Sequence, residues 1–152
     1  MAQARVAASL SQPRVQVIAP AKLGETAVAA LRARAIETRV AEAPPDAGDD
    51  VVAWALDGWP TAATAVELAA ACARAAATGR PVCVLAPVPR GRGRAAIERA
   101  AALAYLRAHG AALAHDVDAW LEAVVVLVRF GMPRGPAAAV IAPPGSWLEA
   151  QA

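Results

Sequence analysis

Short apolar, β-branched runs alternate along the chain with longer stretches that are apolar at helical spacing, and proline or glycine separates most of them. Arg14 to Ala19 (RVQVIA), closed by Pro20, predicts a first strand, and Gly24 to Ile36 predicts the helix that follows. Thr38 to Ala43 (TRVAEA) reads as a second strand, ended by Pro44, Pro45 and an Asp/Gly cluster at 46–50 with loop composition. Val51 to Leu56 (VVAWAL) is apolar throughout, as a parallel strand covered on both faces should be.

Asp57-Gly58-Trp59-Pro60 has turn composition, and Thr61 can cap an alanine-rich helix that runs to Ala77 and stops at Thr78-Gly79. Pro81 to Leu85 (PVCVL) predicts a fourth strand. Arg94 to Ala108 predicts a helix with Glu98 and Arg99 on its polar side, stopped by Gly110, and Ala111 to Ala114 a short fifth strand. Asp116 or Asp118 then caps a helix reaching about Arg129, and Ala137 to Ile141 (AAAVI) is a last strand before Pro143, Pro144 and Gly145.

Strands alternating with helices imply βαβ crossovers. The expected class is α/β: a three-layer, flavodoxin-like or Rossmann-like fold whose mostly parallel sheet has five to six strands and helices on both faces. No repeat and no linker divides the chain, so residues 1–12 read as a flexible leader and 13–152 as a single domain.

Composition narrows the function classes. A chain of 152 residues with 58% hydrophobic and 18% charged side chains can build one core, but its apolar excess is largely alanine, whose thin side chain leaves surface for assembly to bury. Net charge is +2 and the arginines are scattered outside 90–94, so a nucleic-acid face is not expected. The longest apolar runs, such as Trp120 to Val128 with only Glu122 inside, fall short of the roughly 20 residues a membrane helix needs. Residues 1–12 lack a signal-peptide pattern, which points to a cytoplasmic protein without membrane partners. Cys72 and Cys83 are isolated thiols with no metal-ligand spacing, expected to be buried and reduced, and no metal site is expected.

Ligands in such sheets bind beyond the carboxyl ends of the strands, here the loops at 19–25, 57–61, 86–94, 115–118 and 142–147. The first, APAKLGE, lacks both the GxGxxG and the GxxxxGK[ST] pattern, against NAD or P-loop nucleotide binding. In PRGRGR, Arg90, Arg92 and Arg94 alternate with Gly91 and Gly93 just before a helix, where free N–H groups and the helix dipole favour an anion; a solvated surface loop is the competing reading. His109 and His115 are the only histidines; His109 is a candidate, although a helix C-terminus alone accounts for it. Asp57 and Asp116 have capping or turn positions, and Ser9, Ser11 and Ser146 are too terminal for a catalytic triad. Trp59 and Trp147, both on predicted loops, are candidate interface anchors or lids over their own core edge.

RVQVIAP, VVAWAL, the strand at 79–85 (GRPVCVL) leading to Gly91-Arg92, the run HGAALAHDVDAWLEAVVVLVRFGMPRG and the closing AAAVIAPPG occur in an order that resembles the succinyl-CoA-ligase-like, flavodoxin-type domain of NDP-forming acyl-CoA synthetases. The resemblance covers nearly all of residues 13–147. It implies a Ser-His-Thr-Gly loop whose histidine is transiently phosphorylated, and this chain has none. With Asp116-Val117-Asp118 aligned to the family's late acidic helix start, that loop is deleted; an alternative register lays Ala108-His109-Gly110 over it. The expectation is a non-catalytic relative used in protein assembly or regulation, a homo-oligomer or bound to a protein partner, with no cofactor required. One alternative is a synthetase subunit in which His109 carries phosphate, PRGRGR holds phosphate or the CoA diphosphate, and partner chains supply the CoA-binding and ATP-grasp domains. Another is a sensor of CoA or a nucleotide.

Overall fold

Five strands and four helices make up the computed structural model, which describes residues 14–42, 51–86, 88 and 91–131. The strands are β1 (Arg14–Ile18), β2 (Glu37–Val40), β3 (Val51–Ala55), β4 (Val82–Leu85) and β5 (Ala111–Ala114). The helices are α1 (Ala21–Arg32), α2 (Ala62–Ala77), α3 (Arg94–Ala108) and α4 (Val117–Phe130). The sheet order is β2-β1-β3-β4-β5 and every pairing is parallel, the flavodoxin-like arrangement with its switch point between β1 and β3. The strand expected at 137–141, the leader at 1–12, Arg90, Trp147 and the loop at 142–147 lie outside the described residues.

Strand alternation divides the core into two layers. Val15, Val17, Ala53 and Cys83 face α1 and α4, where Leu31, Trp120 and Val124 are fully or almost fully buried. Ile18, Val52, Val82 and Val84 face α2 and α3, where Leu68, Cys72, Leu103 and Leu106 cover them. Trp120, the largest fully buried side chain, satisfies its indole N–H by donating to the Cys83 carbonyl at 3.1 Å, fixing α4 to β4. Alanine has a structural use in α2, where Ala65, Ala69, Ala71 and Ala75 are buried and bring the helix close to the sheet.

Both ends of α2, α3 and α4 follow the sequence closely, and the exceptions cluster at α1. Thr61 caps α2 by accepting from the Thr64 N–H at 3.2 Å, and Asp116, not Asp118, caps α4 by accepting from the Ala119 N–H at 2.7 Å. Helix α1 begins at Ala21 rather than Gly24, because Pro20 supplies the entry and its carbonyl already accepts the Gly24 N–H at 2.8 Å. It ends at Arg32 rather than Ile36. The Ile36 N–H donates to the Leu31 carbonyl at 3.1 Å and the Ala35 N–H to that of Arg32 at 2.9 Å, a closing motif that puts Ala35 at φ 59°. Strand β2 accordingly runs over 37–40 instead of 38–43.

Candidate functional site

Because all the strands are parallel, the segments that leave β1, β3, β4 and β5 assemble at one edge. The first is only Ala19-Pro20, since residues 21–25 are already helical. The others are 56–61, 86–93 and 115–116, and they bring Trp59, Gly91, Arg92, Gly93, Arg94 and His115 to this carboxyl edge.

At PRGRGR the structure describes Gly91 to Arg94. Gly91 (φ 100°) and Gly93 (φ 84°) occupy backbone conformations that favour glycine, and a Cβ at either would meet nothing within 4 Å, so conformation and not crowding calls for glycine here. Gly93 starts α3 without a side-chain cap and the first turn carries no acid, which leaves a positive helix end facing solvent. Arg94 is already engaged, its Nε donating to Glu98 Oε1 at 2.7 Å.

The two histidines lie at opposite edges. Helix α3 runs back from the carboxyl edge, so His109, its C-cap, sits at the amino edge; 15 residues separate it from Gly93, about 22 Å at 1.5 Å per residue. Its Nδ1 meets the Tyr105 carbonyl at 2.8 Å and its ring lies 4.3 Å from the Tyr105 ring, the arrangement of a helix-closing residue. His115, by contrast, follows β5 at the carboxyl edge. Its Nδ1 lies 3.0 Å from the Ala86 carbonyl, which can only accept, so Nδ1 carries the proton and Nε2 is the ring atom left for other partners.

An open groove of about 650 Å³ lies between α2 and α3. Ala62, Ala65, Ala101 and Ala102 form its walls, Trp59 closes it at the carboxyl edge and Tyr105 at the other end. A smaller hollow of about 220 Å³ adjoins it above β3, around Asp57, Gly58 and Thr61. Trp59 is half-buried against the α2/α3 layer of the core, and Arg99 Cζ lies 5.3 Å from the centroid of its ring. Trp59 thus lies over its own core edge and also carries the Arg99 guanidinium.

The groove exists because α3 leans on the core by its second half only. Leu103 and Leu106 are its sole buried residues; none of Arg94 to Ala102 is buried, and Ile97 is 69% exposed. Sequence reading missed Arg99, Ala101, Ala102 and Tyr105 as a group, although a signal was present. Between Arg94 and Ala102 only Ile97 is a large apolar residue, too little to hold two turns of helix on a core. Among the described residues no three metal-ligating side chains lie together and no helix is long and apolar enough to cross a membrane. Comparison of the chain with protein-family models, with curated proteins and with solved structures returned no match.

Proposed function

We propose that this chain is a non-catalytic domain, similar to the flavodoxin-type domain of NDP-forming acyl-CoA synthetases, that acts in protein assembly or regulation through the groove between α2 and α3. The observation that carries the reading is the unburied first half of α3, Arg94 to Ala102, standing beside an open groove walled by alanine and ended by Trp59 and Tyr105. A helix that keeps its fold while half of it touches no core is held by alanine propensity, and its free flank is available to another chain. The separation of His109 from the PRGRGR loop along the whole of α3 weighs against phosphoryl transfer between them.

Sedimentation velocity across the micromolar range, on the wild type and on Ala101→Glu, tests the proposal. Ala101 is exposed in the groove, so the substitution places a charge there without opening the core. Assembly in the wild type, alone or with a protein recovered from native extract, that Ala101→Glu abolishes supports it. A wild-type monomer that recovers nothing, or an assembly that Ala101→Glu leaves intact, overturns it.

A further inference from the structure

From the same groove, and resting on the docking role given to it above, we infer that the occupant is an amphipathic helix of a partner protein with a carboxylate at the end that meets Arg99. Three features of the site specify this. The walls are two helices whose backbone groups are already paired, so they present no strand edge; an extended segment laid on them would bury its own N–H and C=O groups unsatisfied, whereas a helix satisfies its own. Alanines at 62, 65, 101 and 102 let a third helix approach to the usual interaxial distance of about 8–10 Å, and the groove follows α3 from Ala95 to Tyr105, some three turns.

Charge supplies the third feature. Glu98 lines the groove but is held by Arg94, whereas Arg99, half-buried on the groove wall, makes its contact with the face of Trp59 and has no carboxylate partner among the described residues. A cation–π contact is electrostatic and leaves guanidinium N–H donors available to a carboxylate. The N-terminal turns of α2 and α3, whose Ala62 and Ala95 line the groove, add positive potential at the same mouth, against Asp57 and the engaged Glu98. An acidic C-terminal turn complements that mouth, and an apolar stripe complements the alanine walls and Tyr105.

The test uses the full chain, labelled with ¹⁵N, and three synthetic amphipathic helical peptides of about sixteen residues, enough to run the length of the groove. They share one leucine stripe and end in a turn carrying glutamate, glutamine or lysine. Shifts of the Trp59 indole N–H and of the Ala101 and Ala102 amides report binding. The glutamate peptide is expected to bind about tenfold more tightly than the glutamine peptide, roughly 1.4 kcal/mol, and the lysine peptide least. Arg99→Gln is expected to remove that preference and Arg99→Lys to keep most of it.

Equal affinity of the glutamate and glutamine peptides would overturn the carboxylate inference while leaving the groove as a docking surface. No shift at Trp59, Ala101 and Ala102 with any peptide at millimolar concentration would remove the docking role as well. Shifts at those residues on concentrating the protein alone would identify a second copy as the occupant and overturn the partner helix.

Discussion

The guanidinium of Arg99 sits over the indole of Trp59, 5.3 Å from the ring centroid, and joins the loop after β3 to the free half of α3. None of Arg94 to Ala102 is buried, and this pair links that half of the helix to the loop beside it. Arg99→Gln should cost about 0.5–1 kcal/mol in urea unfolding, the usual worth of a partly exposed cation–π contact. A Trp59→Leu, Arg99→Gln cycle should recover a coupling of that size, and additive effects would mean the contact does not form in solution.

The hydrogen bond from Trp120 to the Cys83 carbonyl is buried, so its loss should be felt more strongly. Trp120→Phe removes the donor and part of the ring and should lower stability by about 1–3 kcal/mol; Trp120→Ala should lower it by about 3–5 kcal/mol. Chemical denaturation of the two variants checks the order. A Phe variant as stable as the wild type would show that α4 is not pinned to β4 in this way.

Two small residues, Gly24 inside α1 and Ala35 just beyond its end, sit in unfavourable places. Ala35 takes the left-handed position that closes the helix, a conformation glycine adopts without strain, so Ala35→Gly should raise stability by about 1 kcal/mol. Gly24 lies inside the helix, where an added Cβ would rest at 3.7–3.8 Å from Ala19, ordinary contact distance; Gly24→Ala should add about 0.5–1 kcal/mol. Thermal melts of the single and double variants should show increments of the same sign that add. Destabilisation by Ala35→Gly would contradict the closing geometry described for α1.

These two residues also show where sequence legibility stopped. The patterns at Val51, Thr61, Arg94 and Ala111 fixed their elements because a cap, a glycine or a continuous apolar run marks each boundary. At α1 the closing position holds alanine, which carries no turn signal, and Ile36 fits the helical spacing while in fact capping the core at 4% exposure. The carboxyl-edge placement of Trp59 and of Gly91 to Arg94 was legible, since strand order and parallel pairing dictate it. The groove was not, because alanine is at home both inside and outside a fold: the same residue is buried in α2 at Ala69 and exposed in α3 at Ala101. Choosing between His109 and His115 needed only the direction of α3.

Both cysteines are buried, on opposite layers of the sheet, and burial pushes the Cys72 thiol up to about 11 and the Cys83 thiol up to about 12. The folded chain therefore keeps two protons that the unfolded chain gives up near the ordinary thiol value of 9.0. Their contribution is fully present below that pH and is lost as pH rises through the folded values, at up to about 1.4 kcal/mol per pH unit for each thiol. Stability should fall more steeply above pH 9 in the wild type than in Cys72→Ala, Cys83→Ala. At pH 8 an aromatic disulfide reagent should label neither thiol until the chain unfolds. Immediate labelling of the folded protein would contradict the burial.

The claim on which the functional account depends is that the groove between α2 and α3 is covered in the cell. Val66 and Tyr105, which line it, are 55% and 42% exposed in the isolated chain, so both should react readily with hydroxyl radicals when the purified protein is dilute. Footprinting the same two residues in native extract measures their cover directly. The account predicts severalfold protection of both there, reversed by Ala101→Glu; equal reactivity in dilute solution and in extract would contradict it.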